Sequence, residues 1–587
     1  MIIVARDGSG DYTSLQAAVD GVTESGRGPV IILMRAGEYR EKVVVHKNNL
    51  RIIGEDPERT VLVWNGCAKD TYPDGEEKGT FMSSTLMITG HNVEVENLTI
   101  MNDAGDGRKV GQAVAVYAAG DRGVWRNCRM IAHQDTLFCG PLRIPNVTQD
   151  VGERRGLAEA VTRVEDGHLT HSRQYFENCW IQGDVDFIFG CYQCWFEGCT
   201  LYMTARGGWY TAANTNRLQP WGMVFHRCRL TGECGEGQAS LGRPWRAFAR
   251  TVFLECEMDE HVAPDGFRDW DEERVVTDRY GEWGTSGVRA DQSTRHPSQK
   301  RLTAKDAAVI TLEDVLGGWD GWRPEKRVPT WFLCGDSTMA NYPPEKAPMA
   351  GWGQMLQPLM REDVYIQNEA VNGRSSKSFI DEGRLEAIRL CLREGDKLII
   401  CFGHNDEKKQ DPSRYTSADG TYPEYLTEYL ETAWSHGAEP ILATSIARRL
   451  FDENGRLIPT HGAYPAAMRE LAKRKNVRLI DLEPATMEMV QKAGVEGSTA
   501  LYCHVPAGHP NYPEGAADNS HLHERGAIRI AQLFLAIKEG RTRVSGGEGT
   551  GATEAGDLDS LISREDWVFV RPSFLPEGPS CGNKPAR

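Results

Sequence analysis

The sequence predicts a chain of two unlike parts: a β-type solenoid in the first half and a parallel sheet flanked by helices in the second. Two observations carry this. A short apolar pattern recurs down the chain as far as Met258, and beyond residue 330 strand-like and helix-like segments alternate. The length of 587 residues accommodates about four domains of ordinary size, or fewer large ones.

The recurring pattern reads Val95-Glu-Asn-Leu98-Thr-Ile100, then Trp125-Arg-Asn-Cys128-Arg-Met130 and Phe176-Glu-Asn-Cys179-Trp-Ile181. It continues as Phe196-Glu-Gly-Cys199-Thr-Leu201, Phe225-His-Arg-Cys228-Arg-Leu230 and Phe253-Leu-Glu-Cys256-Glu-Met258. The intervals from Leu98 are 30, 51, 20, 29 and 28 residues. Repetition at this period marks a solenoid, whose rungs stack because none can bury its apolar side alone. The Cys position then forms an inward ladder, since a free thiol behaves as a small hydrophobe. Cys191-Tyr-Gln-Cys194 has redox spacing but lacks the βαβ context of a redox motif.

After Trp319-Asp-Gly-Trp322 the repeats stop. Thr330-Trp-Phe-Leu-Cys334, Lys397-Leu-Ile-Ile-Cys-Phe402, Pro440-Ile-Leu-Ala-Thr444 and Val477-Arg-Leu-Ile-Asp481 read as strands. Residues 422–436, 464–473 and 524–538 read as helices, and the alternation predicts helices on both faces of a parallel sheet. Residues 541–587 open with Gly546-Gly-Glu-Gly-Thr-Gly551, a flexible linker by composition. The tail near Trp567-Val-Phe-Val-Arg-Pro572 is expected to form a short docked strand.

Lys and Arg number 67 against 83 Asp and Glu, a net charge of −16. That excess of acid argues against nucleic acid and a membrane surface as partners, and no apolar run nears the roughly 18 residues of a membrane span. Fifteen Trp suit stacking on ring-shaped ligands. Asp7 and the first glycines interrupt the N-terminus before a secretory apolar stretch could form, and the odd total of 15 Cys suggests reduced thiols. Both point to a cytoplasmic chain.

In the first half, acidic and amide groups stand in short apolar segments: Gln112-Ala-Val-Ala-Val116, Gln134-Asp135-Thr-Leu137, Asp186-Phe-Ile-Phe-Gly190 and Leu241-Gly-Arg243-Pro-Trp245. Stacked coils can line one groove with residues far apart in sequence. Two carboxylates there can divide labour, one ionised and one protonated. An Arg favours the ionised partner, and side-chain amides stabilise a developing oxyanion. Arg126, Arg129, Arg206 and Arg243 are the candidates for making the groove locally basic.

These segments, with the opening Asp7-Gly-Ser-Gly-Asp-Tyr-Thr-Ser-Leu-Gln16, Gly37-Glu-Tyr-Arg-Glu41, Thr80-Phe-Met-Ser-Ser-Thr85 and Arg250-Thr-Val-Phe-Leu254, resemble the pectin methylesterases over residues 1–322. The resemblance implies a right-handed parallel β-helix and an aspartyl esterase that needs no metal or other cofactor. Asp186 would attack a galacturonate methyl ester, and Asp135 would serve as acid and then base. Gln112 and Gln134 would hold the oxyanion. Arg243 would orient Asp186 and contact substrate, as would Thr85, while Trp245 would stack on a sugar. The chain departs from plant members in the polar insertion at residues 143–170, expected to form a loop over the groove.

In the second half, Gly335-Asp336-Ser337-Thr338-Met339 follows a strand, which exposes a Ser hydroxyl at a strand-to-helix turn. Asp518-Asn-Ser-His521 precedes the last helix. There the His can accept the Ser337 proton while Asp518 orients its ring. Asn372-Gly373-Arg374-Ser-Ser376 and Gly403-His404-Asn405-Asp406 lie between them. The set resembles the SGNH hydrolases over residues 329–540, and within them the rhamnogalacturonan acetylesterases. That implies a flavodoxin-like three-layer α/β sandwich with Ser337 as nucleophile, His521 as base and Asp518 as orienting acid. The oxyanion would meet the Ser337 and Gly373 N–H groups and the Asn405 amide.

Pectin carries both methyl and acetyl esters. The combined expectation is a bifunctional enzyme acting on methylated and acetylated pectic oligosaccharides. One alternative is a non-catalytic pectin-binding β-helix fused to a single active acetylesterase. A second makes the β-helix a lyase or polygalacturonase, which would need other carboxylate or basic constellations.

Overall fold

The computed structural model describes residues 1–23, 28–141, 162–165, 168–360 and 364–540. Contacts divide the chain into two compact units, with the main division between Arg327 and Val328. The predicted tail strand lies outside the described residues. So does most of the insertion at 143–170, of which the antiparallel pair Thr162–Glu165 and His168–His171 is described.

The first unit is a parallel β-helix of three sheets, with eleven, seven and eight strands among the described residues. A complete coil contributes one strand to each sheet, and the coils at the ends extend the eleven-stranded sheet further. The repeat read from sequence is one corner of that coil. Phe176 stands in Arg173–Glu177 of the eleven-stranded sheet, and Ile181 in Trp180–Gly183 of the eight-stranded sheet. The chain turns between them through a single left-handed residue. Asn97, Asn127, Asn178, Gly198, Arg227 and Glu255 all have φ between +50° and +59°. Asn and Gly tolerate this conformation best, which explains their prevalence at this site.

Inside the corner the aromatic residues stack. Phe176, Phe196, Phe225 and Phe253 follow one another at 4.5, 4.4 and 4.7 Å with nearly parallel rings. The cysteines behind them are buried and free. Each thiol donates to the carbonyl of the first residue of the preceding repeat. Cys128 reaches Val95, Cys179 Trp125, Cys199 Phe176, Cys228 Phe196 and Cys256 Phe225, at 3.3–3.7 Å. Cys191 and Cys194 also lie in the core as buried thiols. The Cys side chains are thus packing groups with a weak donor, as the ladder reading expects.

The second unit has a five-stranded parallel sheet in the order Tyr365–Asn368, Thr330–Gly335, Lys397–Cys401, Glu439–Ala443, Arg478–Ile480. This is the flavodoxin-like doubly wound order, whose ligand crevice opens at the carboxyl ends of the strands beside the switch point. Helix Thr421–Ser435 buries Tyr422, Leu426, Tyr429, Leu430 and Ala433, a stripe at helical spacing. Helix Glu524–Lys538 buries a similar stripe, including Ile530 and Phe534. Phe534 packs against the fully buried Trp352 at 5.1 Å.

Candidate active sites

Asp135 and Asp186 sit just before two neighbouring strands of the seven-stranded sheet, Leu137–Cys139 and Ile188–Gly190. Leu137 pairs with Ile188, and the Asp135 N–H donates to the Val185 carbonyl at 3.0 Å, which sets the two aspartates side by side on successive coils. Both adopt left-handed backbone, with φ of +66° and +53°. That conformation costs roughly 1–2 kcal/mol for a residue with a Cβ, and such strain clusters at functional sites. Both side chains are nearly buried.

Arg243 forks onto Asp186, its Nε and Nη2 donating to Oδ1 and Oδ2 at 2.9 and 2.7 Å. Its guanidinium carbon lies 3.8 Å from the ring centres of both Trp209 and Trp270. Burial pushes both carboxyls above the usual range. On Asp135 the charge of Asp186 adds to burial and Arg243 opposes it. On Asp186 the hydrogen bond and the charge of Arg243 oppose burial directly. The two carboxyls are therefore unequal, Asp135 holding its proton more tightly than Asp186.

Gln112 and Gln134 lie on neighbouring coils, because the Ala113 N–H donates to the Gln134 carbonyl at 3.1 Å. Gly107 lets the chain close on Gln134. A Cβ there would stand 2.9 Å from Gln134 Oε1 and 3.1 Å from Arg206 Nη1. Trp245 is half-buried, edge-on to Phe189 at 6.0 Å, and borders an apolar cluster with Tyr117 and Phe138.

Two sequence expectations need correction. Thr85 is fully buried and its hydroxyl donates to the Met101 carbonyl at 2.9 Å, so its side chain presents nothing to a sugar. Arg126 and Arg129 do not stand with Asp135 and Asp186. Arg126 is buried in the eleven-stranded sheet, paired with Glu94 and Glu177, and Arg129 lies in the eight-stranded sheet over Trp180. Sequence reading also missed Asp184, which is fully buried and pairs with His133 at 3.1 Å and Arg206 at 3.3 Å. The hydrogen bond with Asp184 raises the His133 pKa. No strand periodicity signals Asp184, because Asp184 and Asp186 stand in a bend between Trp180–Gly183 and Ile188–Gly190.

In the second unit, Ser337 follows Thr330–Gly335, while Gly373 and Asn405 lie in the loops after the two flanking strands. The Ser337 turn is shaped by Asp336, whose Oδ1 accepts from the Thr338 N–H and hydroxyl at 2.9 and 2.8 Å. His521 lies on strand Ala516–Leu522, immediately before the last helix. Its Nε2 stands 3.0 Å from Ser337 Oγ and its Nδ1 2.6 Å from Asp518 Oδ2. Burial raises the Asp518 pKa, but the side-chain and backbone hydrogen bonds of His521, with the Ser520 N–H, outweigh it and bring the group down to about 2. Asn405 Nδ2 donates to the Arg374 carbonyl at 3.0 Å, and Arg414 Nη1 donates at 3.4 Å to both the Gly373 carbonyl and Asn405 Oδ1. The Ser337 turn, the His521–Asp518 pair and the Gly373 and Asn405 loops thus gather at the carboxyl ends of the sheet strands. Arg414 was missed from sequence because nothing in its local pattern ties it to either loop.

The Pectinesterase family model matches residues 1–144 and 160–318, and that of the GDSL-like Lipase/Acylhydrolase family matches 333–527. Rhamnogalacturonan acetylesterase RhgT of Bacillus subtilis is 46% identical over 203 residues, covering 34% of this chain and 86% of that protein. Pectinesterase 31 of Arabidopsis thaliana is 31% identical over 314 residues, covering 52% and 89%. The chain spans about half the length, 54%, of another Arabidopsis relative, probable pectinesterase/pectinesterase inhibitor 23, at 30% identity and with 56% of this chain covered. Among solved structures, the carrot pectin methylesterase aligns with a TM-score of 0.45 and 27% identity over 54% of this chain and 93% of its own. The chain belongs to the pectinesterase family through its first half and to the GDSL-like acylhydrolases through its second, and both are families of carboxylic ester hydrolases.

Proposed function

We propose that this protein is a bifunctional pectin de-esterifying enzyme that removes methyl esters at one site and acetyl esters at the other. One observation carries the reading: each half brings together side chains of the kind that ester hydrolysis uses. One set is the Asp135–Asp186 carboxyl pair with Arg243 on Asp186. The other is the Ser337–His521–Asp518 relay at 3.0 and 2.6 Å.

At the first site the Asp186 carboxylate attacks the methyl-ester carbonyl of a galacturonate unit. The Gln112 and Gln134 amides donate to the oxyanion. As the C–O bond breaks, Asp135 gives its proton to the departing methanol. The resulting Asp186 acyl anhydride is opened by water, whose proton passes to Asp135. This restores both carboxyls to their starting states. Trp245 and the adjoining aromatic cluster provide the apolar wall for the sugar ring, and Arg243 adds a contact to substrate.

At the second site His521 takes the Ser337 hydroxyl proton as Oγ attacks an acetyl carbonyl. The oxyanion meets the Ser337 and Gly373 N–H groups and the Asn405 amide. Imidazolium His521 then protonates the leaving sugar hydroxyl, and a water activated by the same ring releases acetate. The test is to follow methanol and acetate together by NMR from pectic oligosaccharides bearing both esters. The proposal expects both products. Acetate alone would favour the non-catalytic β-helix, and chain scission without methanol would favour a lyase or polygalacturonase.

A further inference from the structure

The groups proposed to hold the acetyl-ester oxyanion come from separate loops, and a catalytic gain from them requires that the loops keep a fixed separation. Asp406 stands next to Asn405 and is fully buried. Its carboxylate reaches across to the Gly373 loop. Ser376, the first residue of helix Ser376–Asp381, donates its N–H to Asp406 Oδ1 and Oδ2 at 3.1 and 3.3 Å and its hydroxyl to Oδ1 at 2.5 Å. Thr416 donates its hydroxyl to Asp406 Oδ1 at 3.1 Å and its N–H to the Asp406 carbonyl at the same distance. The Tyr464 hydroxyl donates to that carbonyl at 3.0 Å.

Ser376 lies three residues beyond Gly373 and is pinned from its other side, its carbonyl accepting from the Tyr429 hydroxyl at 2.9 Å. The Ser375 cap fixes the first turn of the same helix. No cation pairs with Asp406 among the described residues. Burial pushes its carboxyl up to about 7 against the donors from Ser376 and Thr416. A buried, cation-free carboxylate is costly to keep, and here it serves as a multiple acceptor between two loops.

We infer that Asp406 is a positioning residue that clamps the Gly373 loop to the Asn405 turn and so sets the spacing of the oxyanion donors. The inference rests on the acetylesterase reading of this half. Misplacing a reacting group by about 1 Å can cost on the order of 100-fold in rate. The oxyanion forms only in the transition state, so the loss falls on kcat and not on KM.

The test measures acetate release by the full chain carrying Asp406→Asn, together with binding of a small alkyl boronic acid. The boronate adds to a Ser hydroxyl and mimics the tetrahedral oxyanion. Asp406→Asn is expected to lower kcat about 30- to 100-fold, with KM within twofold, and to weaken the boronate by a comparable factor. Ser376→Ala removes one donor and keeps the fold of the loop. It is expected to lower kcat about three- to tenfold in the same pattern, and it carries the test if Asp406→Asn does not fold. Boronate affinity and kcat per folded molecule both within twofold of wild type would overturn the clamp. Wild-type protein that neither releases acetate nor binds the boronate would overturn the acetylesterase reading itself. Methanol release from the same samples reports on handling, because Asp406 has no part in it.

Discussion

At the residue scale, the chemistry of the first site turns on unequal treatment of two buried aspartates. Burial raises both, and Arg243 opposes it on Asp186 by a direct fork. Removing the guanidinium leaves burial unopposed, so the Asp186 pKa rises further. Arg243→Gln is therefore expected to move the acidic limb of methanol release to higher pH, besides lowering the rate, in a pH–rate profile. Trp209→Leu removes one face of the indole sandwich around Arg243. A desolvated cation–π contact is worth about 2 kcal/mol, so the same limb is expected to shift in the same direction by less. The aspartates, the amides and Arg243 were legible in sequence because each stands in a compact motif. Trp209 and Trp270 were not, because register alone brings them to Arg243, and register follows from coil lengths that the sequence does not announce.

At the scale of the element, the β-helix corner is a repeated device of one left-handed residue, one stacked ring and one inward thiol. Phe225 lies inside the ring stack at 4.4 and 4.7 Å from its neighbours. Phe225→Ala is expected to cost about 3–5 kcal/mol in denaturant unfolding. Arg227 has φ +53° where four other corners carry Asn or Gly. Its ion pair with Glu255 is exposed and of little worth. Arg227→Asn is accordingly expected to stabilise the protein by about 0.5–1 kcal/mol, read in the same unfolding experiment. The repeat itself was plain in sequence, since rings and thiols recur in register with the coils. The left-handed turn was hidden, because Arg227 and Glu255 break the Asn pattern that would have exposed it.

At the scale of the whole molecule, alternating strands and helices disclosed the second fold, and four of its five sheet strands were read directly. The fifth, Tyr365–Asn368, is short and polar. The helix Leu482–Gly497 is not among the helices expected from sequence, and Pro484 with the glycines at 494 and 497 weakens its helical signal. Pro is tolerated in a first helical turn, and Gly494 lies at a kink with non-helical backbone. The central claim is that two independent esterases share this chain. The most direct measurement follows methanol and acetate by NMR from doubly esterified pectic oligosaccharides with wild type, Asp186→Asn and Ser337→Ala run side by side. The account predicts that Asp186→Asn loses methanol and keeps acetate, while Ser337→Ala does the reverse. Loss of both products in either variant, or methanol release untouched by Asp186→Asn, would contradict it.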